Sequence, residues 1–349
     1  MNVTMRRKLS VCAAMIVALG VAATWTTAQS SSGSLLVVLR GEKAGPVLGV
    51  IDAASGKVLG RVPLGTDPHG VTVSDDGKLA YVANTNGHKE TIPDGDSISV
   101  IDIASRKEIR RVEVGQGAMP HDIHFRRGKV YFSAGGFKSV GRYDPARNKV
   151  EYFGLGQDGI HMLAFNRDVT TIFAANNISH TVAVLEGAPP EWKLTLIPVG
   201  KVPEGTDISP DGKQLWTVNE ESNNLSIIDV ATKKVAQTLD LKTDHANRLR
   251  YMPNGKYVII LDRQIAEVVL VDAATRQVAK KIKMTGEKPR MGDLTVLPDS
   301  SRVYITVQAT PPYIADLDLK TLTVSRHIDL PSSGDGIAWA GPRASSATN

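Results

Sequence analysis

His69, His121 and His161 hold the same position in three successive repeats of the chain. Three neutral imidazoles brought to one point are ligands for zinc, copper or iron, and an open fourth position would admit a water or a substrate for catalysis. The same position in the other repeats carries Asp335, Glu204, Asn247 and Gly292. Glu204 and Asp335 are therefore candidates for a further ligand or for the proton acceptor of a catalytic step. Eight histidines in 349 residues would place well under one in seven positions drawn at random, so three is an enrichment. The competing reading is that these histidines are hydrated residues bonded to carbonyls or water.

Further polar residues crowd the same end of the repeats. His88 lies in the insertion 86–96, His180 follows "AANNIS", and His245 precedes Asn247 by two positions. Arg248, Lys288 and Arg290 fall in the adjoining segments, where cations would steer an anionic ligand. His88, His180, His245, Arg248 and Arg290 are thus the candidate ligand-binding set. His124, by alternation from His121, is expected to pack between strands or blades.

The elements that must position these residues are read from the repeat itself. "VIDAASGKVLGRVPLG" at 50 recurs as "VIDIASRKEIRRVEVG" at 100, "IIDVATKKVAQTLDL" at 227 and "LVDAATRQVAKKIKM" at 270. Acidic residues at 52, 102, 144, 186, 229, 272 and 318 mark seven units. Each precedes a tight turn, so carboxylate bonding to turn amides accounts for most of them. A full unit holds four short alternating segments, as in 70–74, 78–84, 97–103 and 108–114, and "SDDGK", "SPDGK" and "MPNGK" read as turns closed by glycine. Four antiparallel strands repeated seven times predict an all-β, seven-bladed β-propeller. Residues 35–65 supply three strand-like segments and Gly336–Ala340 supplies a fourth, so a composite blade from both termini is expected to close the ring.

The units resemble the YVTN-type propeller repeat, whose signature stands here as Tyr81-Val82-Ala83-Asn84, Trp216-Thr217-Val218-Asn219 and Tyr304-Ile305-Thr306-Val307. The resemblance spans residues 33 to 340 and is to the YncE group, with more distant similarity to cytochrome d1-haem domains and propeller lactonases. It implies the fold strongly and an activity weakly. It also implies d1-type haem as a conceivable cofactor, with His69 or His121 as axial ligand, and single-stranded DNA as a conceivable partner. Aromatic residues are only 5% of the chain and sit mostly inside strands, so no basic aromatic groove for nucleic acid is legible.

Residues 1–28 have the layout of a secretory signal: Arg6, Arg7 and Lys8, an apolar stretch from Leu9 to Ala23, then Thr26-Thr27-Ala28. Cleavage after Ala28 and a periplasmic or secreted location are expected, with the propeller over 33–341 and a flexible tail over 342–349. The remaining chain carries 38 basic and 36 acidic residues, so its charge gives no argument for nucleic acid. Its only cysteine, Cys12, leaves with the signal, which excludes disulfides, thiolate ligands and a thiol nucleophile. No Gly-x-Ser-x-Gly elbow or phosphate loop is present. No later apolar run is long enough to span a membrane. The leading expectation is an exported propeller binding a small molecule or a protein at its histidine-rich face. The alternative is a metal-dependent enzyme, a copper-type oxidoreductase or a lactonase-like hydrolase.

Overall fold

A computed structural model describes residues 33–85, 96–187 and 191–342. The expected signal, residues 343–349 of the expected tail and His88 lie outside the described residues. Among those described, twenty-eight strands, β1 to β28 in chain order, form seven four-stranded antiparallel sheets, and the one helical turn is the 3-10 segment Gly135–Phe137. Blades 1 to 6 each use four consecutive strands, and they begin with the innermost strands β4 (Pro68–Val73), β8 (Pro120–Arg126), β12 (Ile160–Phe165), β16 (Pro203–Ile208), β20 (Ala246–Tyr251) and β24 (Glu287–Val296). Blade 7 is the composite: β28 (Gly334–Ala340) is innermost, and β1 (Ser34–Leu39), β2 (Val47–Asp52) and β3 (Val58–Pro63) follow outward.

The local chemistry explains this regularity. Each second strand is an apolar run buried on both faces, as in "LAYVAN" at Leu79–Asn84, because blades cover it on either side. The turn before it needs a residue with positive φ, which Gly77, Gly212 and Gly255 supply at 72°, 73° and 72°. The aromatic residue of the second strand packs on an aromatic residue of the next blade's innermost strand: Tyr81 on Phe125, Tyr131 on Phe165, Trp216 on Tyr251 and Tyr304 on Trp339, with centroids 5.3 to 6.4 Å apart. The signature asparagine ties second strand to third: Asn84 Nδ2 donates to Ser97 Oγ at 3.1 Å and Ser99 Oγ at 3.0 Å. Of the seven acidic residues, Asp52, Asp102, Asp144, Asp229, Asp272 and Asp318 accept turn amides. Glu186 instead pairs with Lys233 Nζ at 3.1 Å.

One irregularity recurs in every blade. Pro68 faces Asn84 and Val71 faces Val82, so His69 and Gly70 together oppose one residue of the partner strand. The same bulge interrupts the other six innermost strands at the equivalent place. A bulge re-aims side chains that strict alternation would separate. Both the histidine-column residue and its successor therefore reach the axial channel.

Candidate functional site

The innermost strands begin at the upper mouth of the channel, and the column residue is the second of each strand except the longer β24, where Gly292 is the sixth. The structure brings His69, His121 and His161 together there. Their rings form a tilted stack, with centroids 4.3 Å apart between His69 and His121 and 4.1 Å apart between His121 and His161, each pair inclined by 34°.

Carboxylates hold both ends of the stack. His69 Nδ1 lies 3.2 Å from Asp335 Oδ2, and its Nε2 lies 3.5 Å from Asp67 Oδ1. Arg40 clamps the same pair, donating to Asp335 Oδ2 at 2.9 Å and bonding Asp67. Burial alone would lower the pKa of His69, but the bonds to Asp335 and Asp67 outweigh it and raise the value. At the other end His161 Nδ1 lies 2.7 Å from Glu204 Oε2. Asn177 Nδ2 donates to Glu204 Oε1 at 3.1 Å, and Arg248 Nη1 stands 3.6 Å from Oε2. Burial pushes the Glu204 carboxyl up, yet the charges of His161 and Arg248 bring it below its ordinary value.

His121, in the middle, has no carboxylate. Burial first, and then the neighbouring His161, His69, Arg248 and Arg40, push its pKa well below 6.5, so it is a neutral imidazole. Its Nδ1 is buried without a hydrogen-bond partner. What surface it keeps opens into the cavities it lines.

This arrangement does not fit the metal expected from the three histidines. Ring nitrogen lone pairs lie in the ring planes and must converge at about 2.0–2.1 Å on an ion, whereas these rings meet through their faces. Among the described residues no group of three or more His, Cys, Asp or Glu is arranged to hold a metal ion. A d1-type haem fits no better: the mouth cavity is about 130 Å³, below the roughly 300 Å³ at which small-molecule sites begin, and both nitrogens of His69 face carboxylates.

The other expected residues are spread unevenly. Arg248 is buried at the axis, with Nε 3.6 Å from Asp293 Oδ1. Arg290 is exposed at the rim. His180 serves the scaffold, its Nδ1 accepting from Val202 N at 3.1 Å. His245 is exposed and lies 2.8 Å from Asp244 Oδ1. His124 packs edge-on to Phe165 of the next blade at 5.3 Å, as expected, but the bulge also turns it into the lower channel, where Nε2 meets Asp122 Oδ2 at 2.9 Å.

Sequence reasoning missed Arg40, Glu220 and Arg263, which complete the mouth. Each is the first residue after a blade's second strand, in register with Thr85, Asn177 and Gln308. A second aligned column was thus present to find them. Arg263 is the most telling: its buried Nε has no hydrogen-bond partner and its guanidinium forms no ion pair among the described residues. Burial, Arg290 and Arg248 all lower its pKa.

The model of the YNCE-like β-propeller family matches residues 156–333, just over half of the chain. No curated protein matches the sequence. Among solved structures, the fold is similar to hydrazine synthase of Kuenenia stuttgartiensis, at 20% identity and TM-score 0.64 over 82% of this chain and 90% of that one. It is similar to a candidate 6-phosphogluconolactonase from Bacteroides uniformis, at 16% identity and TM-score 0.70 over 88% and 99%. A third similar structure is the dihydro-haem d1 dehydrogenase NirN, at 13% identity and TM-score 0.63 over 89% and 76%. At these identities the likeness is one of fold.

Proposed function

The chain belongs to the YNCE-like β-propeller family, and from that premise we propose that it is an exported binding protein whose upper mouth holds a small carboxylate or similar anion. The observation that carries this reading is Arg263: a guanidinium with an unpartnered buried Nε, repelled by Arg248 and Arg290, on a cavity that Arg40 and Arg248 also line. An anion placed there relieves the repulsion among the guanidinium groups, whose remaining N–H donors can bind it. His121, neutral, lines the same cavity. A cavity of about 130 Å³ suits a short carboxylate. Export rests on the layout of residues 1–28.

One observation favours a second reading, metal-free hydrolysis of a lactone: a neutral imidazole beside a His–carboxylate pair is equipped for general base catalysis. Both readings are tested together. Malonate is expected to raise the melting temperature at low ionic strength while malonamide does not, and Arg263→Gln is expected to abolish the rise. No malonate effect, or one that survives Arg263→Gln, overturns the binding reading. Acid release from δ-valerolactone that is lost in His121→Phe would establish the hydrolytic one.

A further inference from the structure

The channel has a second and larger cavity at its lower end, about 550 Å³, within the range of about 300–1,000 Å³ occupied by small-molecule sites. Between the two ends the axis narrows beside Arg248 and Asp293 to a space of about 10 Å³. That admits about one water molecule, so a ligand in one cavity is shut off from the other.

The walls of the lower cavity are chemically unequal. Blades 2 and 5 contribute Arg126 and Arg250, while blades 1, 6 and 7 contribute Val73, Val296, Ala338 and Trp339. The carboxylates nearby are occupied by the strands themselves. Asp122 Oδ2 accepts from Leu163 N at 2.7 Å, Asp207 accepts from Ile208 N and Tyr251 N at 2.9 Å each, and Asp293 Oδ1 accepts from Leu294 N at 2.8 Å. The bonds of Leu163 N to Asp122 and of Tyr251 N to Asp207 join neighbouring strands, and Arg250, whose charge is felt by Asp122, Asp207 and Asp293, makes no ion pair within 4 Å among the described residues. Its Nη1 donates to Leu249 O at 2.9 Å, one of five N–H donors in a guanidinium. Arg126 lies on the wall opposite, with Nη1 donating to Phe125 O at 3.0 Å and the guanidinium 5.8 Å from the Phe165 ring centroid.

We propose that this lower cavity is a second ligand site, which takes an amphipathic organic anion: a carboxylate head at Arg250, and an apolar body against Val73, Val296, Ala338 and Trp339. A planar carboxylate matches the fork of a guanidinium. The apolar wall supplies the burial that a short carboxylate at the upper mouth does not need.

Octanoate is a suitable probe, with 1-octanol as its uncharged counterpart. Calorimetric titration of the full chain is expected to show saturable one-to-one binding of octanoate and at least tenfold weaker binding of 1-octanol. Arg250→Gln is expected to weaken octanoate at least tenfold. Arg263→Gln, at the upper mouth, should leave it unchanged, which separates this site from the one proposed above. Thr295→Trp, on the blade 6 wall, introduces an indole into the lower cavity while keeping both arginines, and is expected to abolish binding. Equal affinity for the acid and the alcohol, absence of saturable binding, or octanoate binding that persists in Thr295→Trp overturns the proposal. The last criterion decides the matter even where Arg250→Gln fails to fold.

Discussion

A single side chain, Asp335, sets the chemistry at one end of the imidazole stack. Although burial pushes its pKa up, His69, Arg248 and Arg40 bring it well below its ordinary 3.8, while His69 is held above its ordinary 6.5. A raised histidine pKa contributes stability that is complete below 6.5 and is lost as pH rises through the folded-state value. A depressed aspartate pKa contributes stability that is present above 3.8 and is lost as pH falls through the folded-state value. The two windows overlap between 3.8 and 6.5. His69→Gln is therefore expected to cost about 1–3 kcal/mol at pH 5 and progressively less as pH rises past the histidine's titration. Chemical denaturation at a series of pH values measures this, and a cost independent of pH would refute the ion pair. The histidine column was legible because identical repeat positions must form a ring. That the rings stack instead of converging was not, since ring orientation depends on tenths of an ångström in the carboxylates around them. Arg40, which holds His69, stands in the second aligned column, after the second strand, but its repeat-mates are of mixed type, so residue type alone did not mark it.

Among the elements, the bulge in each innermost strand matters most to the site. It places two successive residues at the axis, so His121 and Asp122, or Asn247 and Arg248, both reach the channel. Period-two alternation, the rule by which a sequence assigns strand faces, fails at this point. Hence His124 was correctly expected against the neighbouring blade while its place in the lower channel was not foreseen. The bulge also draws adjacent strands together, and a glycine follows the column residue where the approach is closest. A Cβ on Gly336 would meet His69 O at 2.1 Å, a backbone atom that cannot swing aside. Gly336→Ala is accordingly expected to lower stability by about 1–3 kcal/mol and to shift the His69 ring resonances. Thermal unfolding and imidazole NMR spectra check the two effects. Unchanged resonances in a folded variant would show that β4 and β28 are not coupled at this contact.

The whole molecule depends on a ring closed by pairing strands from opposite ends of the described chain. β28 pairs with β1 and also lies against β4 and β24. Without it, the fully buried run Leu35–Leu39 in β1 becomes an apolar open edge, the kind of surface that recruits other chains. Deleting residues 334–349 should therefore give aggregation or a broad, non-cooperative melt instead of a smaller stable propeller. Topology makes a sharper demand. Closure requires that the strands be present, not that the chain be cut in blade 7. Gly33 and Gly341 already touch, a Cβ on Gly33 falling 2.8 Å from Gly341 Cα, so a short link there would form the inner turn that the other blades possess. Opening the chain instead between Asp211 and Gly212, in the equivalent turn of blade 4, makes that blade the composite one. Such a circular permutant keeps every interblade contact described above, and the exposed turn is a site where cutting is tolerated. It is expected to melt cooperatively and to retain malonate binding, since Arg263 and His121 keep their neighbours. A permutant that aggregates like the truncated chain would mean that the natural closure does more than complete the circle.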